Sequence, residues 1–321
     1  MRDPIRTARN RIPLVGVPQR PSRPKNRYRT HTFLLLFSIS RICLFSPDCP
    51  VPRIETRLSF QKVGTMSSSR VLTALPVFNE QQHVEQVLGC VKQHAQDVLV
   101  VDDGSTDETA EILRNQTDIH IVTHSMNQGY GAALRSAFSF AQRGGYDILV
   151  TIDCDGQHEP QRIPEFVSAC EDAADGKPVD IVSGSRYLKS FSGDGVPPEE
   201  RRSINMQLTR EINQRLDLDL TDTFCGFKSY RVSRLPSLKT VENGYAMPLE
   251  IWVRASAAEM KIVEIPVPLV YLAEKRSFGG SLDDGQTRLE YYHQVLGKSL
   301  QAVASESGNQ TPAPLCGESS E

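Results

Sequence analysis

The chain has 321 residues, enough to bury a sizeable core, and its 39% hydrophobic and 23% charged residues match an ordinary globular protein rather than a fibrous or membrane-embedded one. A net charge of −3 hides an asymmetry: residues 1–65 carry thirteen Lys and Arg against Asp3, Asp48 and Glu55, so a basic arm precedes an acidic body. The seven cysteines include no CxxC pair and are odd in number, which argues against a zinc ribbon or a disulfide framework and favours a reducing compartment.

Residues 1–66 are rich in Arg and Pro and lack a sustained hydrophobic period, so they read as a basic, disordered extension. Their apolar stretch HTFLLLFSISRICLF is cut by Arg41 and falls short of the roughly 20 residues a spanning helix needs. It also lies too far from the start to serve as a signal peptide. The expected location is cytoplasmic, at most peripheral on the inner face of a membrane, with no transmembrane helix.

The body is expected at 67–303. MSSSRVLTALPVFNE, from Met66, has the look of a natural protein start leading straight into a strand. Short apolar runs predict strands at 70–76, 98–102, 119–123, 147–152 and 179–183. Amphipathic segments lie between them; over 80–94, Val84, Val87, Leu88 and Val91 share one helical face. Strands alternating with helices predict an α/β fold, a Rossmann-like, mainly parallel sheet flanked by helices. Helices near 199–216, 245–259 and 285–302, with a strand pair around 261–273 broken at Pro266 and Pro268, complete the domain. Residues 304–321 read as a disordered tail.

Ligands gather at the carboxyl ends of strands in open parallel sheets. Three acidic motifs sit there. ILVTIDCDGQH places Asp153 and Asp155 one residue apart after an apolar run, a spacing that lets a turn aim both carboxylates at one hard cation, Mg²⁺ or Mn²⁺, with Gln157 as a neutral oxygen ligand. A solvated Asp-rich turn would explain the same residues. VLVVDDGSTDETAEIL ends a strand on Asp102 and Asp103, with Ser105 or Thr106 as the cap of the next helix. LPVFNE ends the first strand at Pro76, with Asn79 as a cap and Glu80 in the following turn. NQGYGAALRSAF does not follow the dinucleotide pattern GxGxxG and reads as small residues packing a helix closely on the sheet. GxxxxGK[ST], GxSxG and HExxH do not occur.

LPVFNE, VDDGSTD and DCDGQH, in that order and each at a strand end, resemble the family 2 glycosyltransferases, in particular those similar to dolichyl-phosphate mannosyltransferase. The resemblance runs from about Arg70 to Leu300 through GSRY, DTFCGFKSYR, NGYAMPLE and EIPVPLVYLAEKRSFGGS. It implies a GT-A fold and a metal-dependent sugar transfer from a GDP- or UDP-sugar, with a polyprenyl phosphate at a membrane surface as acceptor and no nucleic-acid partner. Position by position, it implies that Pro76, Phe78, Glu80 and one or both of Asp102 and Asp103 hold the nucleoside. Asp153, Asp155 and Gln157 would hold the metal, with Asp155 a catalytic residue. Arg186, Arg202 and Arg276 would meet the phosphates, and Glu250 would lie near the sugar or acceptor; Arg276 and Glu250 complete the catalytic set. Arg offers phosphate a planar fork. The chain departs from the pattern at Phe78, where an aromatic hydroxyl is usual, and at Leu282, where a Lys is expected. If the acceptor were a sugar hydroxyl, Glu250 or Asp222 would have to act as base. A nucleotidyltransferase and a non-catalytic nucleotide-sugar-binding protein are the competing readings.

Overall fold

The computed structural model describes residues 69–173, 176–271 and 278–308. The expected basic extension, most of the expected tail, and Arg276 lie outside the described residues. Seven strands form one sheet in the order β3-β2-β1-β4-β6-β5-β7. β1 (Val71–Val77), β2 (Asp97–Asp102), β3 (His120–Thr123) and β4 (Ile148–Thr151) run parallel, with β1 paired to both β2 and β4. β5 (Ile181–Ser185) and β7 (Ile262–Pro266) pair parallel, and β6 (Lys228–Arg231) runs antiparallel between β4 and β5.

Both faces of this sheet are covered, which is why its strands read as continuous apolar runs. Leu72 and Ala74 of β1, Leu99 and Val101 of β2 and Leu149 of β4 face one core. That core is closed by α3 (Tyr130–Arg143), α5 (Glu199–Leu216), α6 (Met247–Ala257) and α7 (Gly285–Gly308). Leu75, Val98, Val100, Ile148 and Val150 face the other, against α1 (Val84–Val91), α2 (Thr109–Arg114) and α4 (Ile163–Glu171). Trp252, fully buried in α6, donates its indole N–H to the Thr223 carbonyl at 3.0 Å, so its polar atom is satisfied within the core.

Several boundaries differ from the sequence expectation. α1 begins at Val84 rather than near residue 80, because Asn79 takes a left-handed φ of 55° and the Glu80 carbonyl first closes a turn onto His83 and Val84. Of the strand pair expected at 261–273, the described residues, up to 271, form one strand, ending at Pro266; the prolines that mark the break cannot donate to a ladder. α7 continues to Gly308, past 302. β6 was not foreseen. KSYR looks polar, yet Lys228, Ser229 and Tyr230 are all buried because the strand is enclosed on both edges. Among the described residues, no helix is long and apolar enough to cross a membrane.

Candidate active site

The three acidic motifs leave the carboxyl ends of β1, β2 and β4, neighbours in the order β2-β1-β4, so the sheet brings them to one edge. The β1 and β2 loops are laced together. The Asn79 N–H donates to Ser105 Oγ at 3.0 Å and the Thr106 N–H donates to Asn79 Oδ1 at 2.8 Å. The Glu80 N–H reaches Thr109 Oγ1 at 2.9 Å and the Glu108 N–H reaches Gln81 Oε1 at 3.0 Å. Asn79, Ser105 and Thr106, whose spacing predicts caps for the helices that follow, therefore do not cap them. Each instead satisfies the opposite loop, an arrangement invisible to local capping rules. Phe78 stands 39% exposed at this edge, its ring open to solvent.

Asp102 and Asp103 are both buried but differently engaged. Asp102 Oδ1 accepts the Ser105 N–H at 3.0 Å. Asp103 accepts from the Gln128 N–H (2.9 Å) and the Gly129 N–H (2.7 Å), and its Oδ1 lies 2.6 Å from His124 Nδ1. His124 Nε2 in turn sits 2.8 Å from Ser136 Oγ on α3. Both oxygens of Asp103 thus hold the loop before α3, which leaves Asp102 the freer of the two to meet a ligand.

Asp153 is framed from three sides. The Tyr130 hydroxyl donates to its Oδ1 at 3.1 Å, and His158 Nε2 lies 3.4 Å from its Oδ2. Gly226 faces it so closely that a Cβ there would come within 2.0 Å of Oδ2. Burial pushes the Asp153 carboxyl up, but His158, Tyr130 and the Lys228 ammonium together hold it below the usual carboxylate range. Tyr130 is pushed well above the ordinary phenol by burial and by the Asp153 charge, so it remains a donor. Asp155 Oδ1 accepts the Gln157 N–H at 2.9 Å, which shapes the turn between them. His158 is not the surface residue its neighbourhood in sequence allows: its side chain is 6% exposed, and Nδ1 has no partner among the described residues.

The cationic residues divide sharply. Arg186 grips Asp222 with a two-pronged pair, Nε to Oδ2 at 2.6 Å and Nη2 to Oδ1 at 2.9 Å. Asp222, wholly buried, also accepts from Asn205 Nδ2 at 2.8 Å. Although burial opposes it, the adjacent guanidinium holds Asp222 far below the carboxylate range, and the carboxylate holds Arg186 protonated. A carboxylate so paired is a poor base, which removes Asp222 from that part. Arg202 is exposed in the first turn of α5, where its charge is felt by the Tyr187 hydroxyl. Leu282 sits half-buried in a short helical turn, Gly280–Asp283. Glu250 is 2% exposed, and its Oε2 accepts the N–H groups of Val241 (2.9 Å) and Glu242 (2.8 Å). Lys228, unforeseen and buried in β6, donates to the Cys225 carbonyl and lies 5.2 Å from the centre of the Trp252 ring. Burial pushes the Cys225 thiol up to about 11, which leaves no nucleophilic thiolate here.

The residues present fit a divalent cation. Among the described residues, no three His, Cys, Asp or Glu side chains gather into a closed chelate. Mg²⁺-type sites commonly use one or two carboxylates and take their remaining ligands from substrate phosphates and water. Asp153 and Asp155 supply that number, and Gly226, where a Cβ would meet Asp153 Oδ2 at 2.0 Å, is what lets the first of them lie in its place.

A mixed sheet with acidic groups at three adjacent strand ends, and a reversed strand β6 behind them, is the GT-A type of fold. The chain belongs to glycosyl transferase family 2, whose model matches residues 73–237. The undecaprenyl-phosphate mannosyltransferase of Micrococcus luteus is 31% identical over 223 residues, spanning 66% of this chain and 88% of that protein. The polyprenol monophosphomannose synthase of Mycolicibacterium smegmatis is 29% identical over 215 residues, spanning 62% and 77%. Among solved structures, glucosyl-3-phosphoglycerate synthase from Mycobacterium tuberculosis, in complex with Mn²⁺, uridine diphosphate and glucosyl-3-phosphoglycerate, matches with a TM-score of 0.53. It is 15% identical and covers 74% of this chain and 81% of that one, a likeness of fold.

Proposed function

We propose that this chain transfers a sugar from a GDP- or UDP-sugar to a polyprenyl phosphate at a membrane surface, in a reaction that depends on Mg²⁺ or Mn²⁺. One observation carries the reading. Three acidic strand ends converge at one edge of a family 2 domain whose relatives include polyprenyl-phosphate mannosyltransferases.

In this reading Pro76, Phe78, Glu80 and Asp102 receive the nucleoside, and Asp103 holds the loop that borders it. Asp153 and Asp155, with Gln157, hold the cation, which neutralises charge on the departing nucleoside diphosphate. Arg202 and Arg276 offer charge-assisted hydrogen bonds to phosphate oxygens. Arg186 has Nε and Nη2 committed to Asp222, so Asp222 aims the guanidinium while Nη1 is left for a phosphate. Glu250 acts by bracing the 241–243 loop from below. An acceptor phosphate is already an anion and needs no strong base. That requirement suits a site in which Asp222 is locked by Arg186 and Glu250 is bound to backbone N–H groups.

The test is transfer from radiolabelled GDP- and UDP-sugars to a short-chain polyprenyl phosphate, with Mn²⁺ and with EDTA. Organic-phase label that requires both lipid phosphate and metal is the expected result. Label passing only to a soluble saccharide would move the acceptor to a hydroxyl, and equal transfer in EDTA would remove the metal.

A further inference from the structure

We infer that Tyr130, a residue outside all three acidic motifs, is the positioning residue for Asp153, and that the start of α3 is clamped from two sides to hold its hydroxyl there. The inference rests on the reading of Asp153 as a metal ligand.

The phenol donates to Asp153 Oδ1 at 3.1 Å, a shorter contact than that of His158 on Oδ2 at 3.4 Å. Its backbone has little freedom. Immediately before it, the Gln128 and Gly129 N–H groups both end on the Asp103 carboxylate, and Gly129 adopts a φ of 102° that a side chain would strain. Immediately after it, the N–H groups of Gly131 and Ala132 both donate to the Asn243 carbonyl, at 2.7 and 3.2 Å. The first N–H groups of a helix have no partner inside the helix. α3 has no side-chain cap, so this carbonyl takes the place of one.

The second clamp is itself tightly built. A Cβ on Gly131 would come within 2.3 Å of the Glu242 carbonyl oxygen, so only glycine allows this approach. One turn along α3, the Arg135 guanidinium donates to the Glu242 carbonyl and to Asn243 Oδ1. From beneath, Glu250 takes the Val241 and Glu242 N–H groups. The Tyr130 ring lies against Tyr245, with centroids 5.8 Å apart and planes 20° from parallel. The hydroxyl therefore meets Asp153 in one orientation. A carboxylate on the nucleoside side, Asp103, reaches the metal-side carboxylate through three residues of chain.

Ligating carboxylates are oriented by hydrogen bonds from an outer shell, and losing such a partner weakens metal affinity by roughly 10–100-fold. The experiment titrates Mn²⁺ by electron paramagnetic resonance, alone and with UDP or GDP, on the full chain. Wild type, Tyr130→Phe and Tyr146→Phe are compared, the last removing a phenol hydroxyl beside Asp97 instead. Mn²⁺ affinity weaker by about tenfold in Tyr130→Phe and unchanged in Tyr146→Phe, with kcat lowered and the acceptor KM kept, is expected. A merely structural hydroxyl would lower the melting temperature and leave Mn²⁺ affinity within twofold of wild type, and that result overturns the positioning role. Wild type that binds no Mn²⁺ with either nucleotide would overturn the metal reading and this inference with it. Binding by wild type that Tyr130→Phe retains would sink the inference alone.

Discussion

At the residue scale, the site depends on who stands beside each carboxylate. Asp153 is bounded by a glycine, a phenol and an imidazole, and its acidity follows from those neighbours rather than from the DxD spacing. Gly226→Ala is expected to displace Asp153, since the added carbon would fall 2.0 Å from Oδ2 and something must move. Metal-dependent nucleotide affinity should drop by at least about tenfold, the loss that follows when a ligating group is misplaced. Calorimetry with and without Mn²⁺ measures it. On the proposed reading, Asp155→Asn should keep the fold and abolish metal-dependent donor binding, because it would remove one of the two charges offered to the cation. Unchanged Mn²⁺-dependent affinity in that variant would remove Asp155 from the metal site. Arg276→Ala should cut turnover by roughly tenfold or more, the loss of a charge-assisted hydrogen bond costing about 1.5–3 kcal/mol. Arg276→Lys should restore only part of it, as an ammonium cannot present the guanidinium fork.

At the scale of elements, β5, β6 and α5 are tied by the Arg186–Asp222–Asn205 cluster. Asp222 is wholly buried and its partner is 22% exposed, so removing the acid leaves a cation with little water to replace it. Breaking a buried pair on one side costs about 3–5 kcal/mol. Asp222→Ala is therefore expected to lower the urea-unfolding free energy by roughly that amount. The pH dependence has a definite sign. Asp222 is held below its unfolded value, so its contribution is present above the unfolded pKa and is lost as pH falls toward the folded one. Stability of the wild type should fall as the solution is taken from about pH 5 downward, and Asp222→Asn should flatten that fall. Equal slopes in the two proteins would show that other carboxylates carry the acid sensitivity. The β1 and β2 loops show how an element-level reading goes astray. Asn79, Ser105 and Thr106 have the chemistry of caps, and they use it on one another across the loops. Only pairing β1 beside β2 brings them into reach.

At the scale of the molecule, the acidic body carries all three motifs, and the basic segment before it contributes none. A variant beginning at Met66 should therefore keep its melting temperature and its donor hydrolysis. A large loss of either would show that residues 1–65 belong to the domain. Nucleotide and metal should stabilise the protein jointly, because a ligand that binds only the native state raises the melting temperature by mass action. Thermal-shift measurements with GDP and UDP, each with Mn²⁺ or EDTA, are expected to show the rise only when both partners are present.

The short continuous apolar runs and their alternation with amphipathic helices determined the parallel sheet, since strands buried on both faces and amphipathic helices have local signatures. The three acidic motifs were legible for the same reason: each follows an apolar run, and strand ends are where such folds bind ligands. What local pattern could not supply was any pairing across distance. KSYR became a buried antiparallel strand only because β4 and β5 enclose it. Tyr130, Gly226 and Lys228 joined Asp153 from segments 23, 73 and 75 residues away in the chain, a convergence set by sheet order and by the packing of α3. Asp103 and Glu250, acids that the family resemblance places near the ligands, accept backbone N–H groups from distant or neighbouring loops. An acid's residue type states that it can accept hydrogen bonds; which donors reach it first is decided by the tertiary structure.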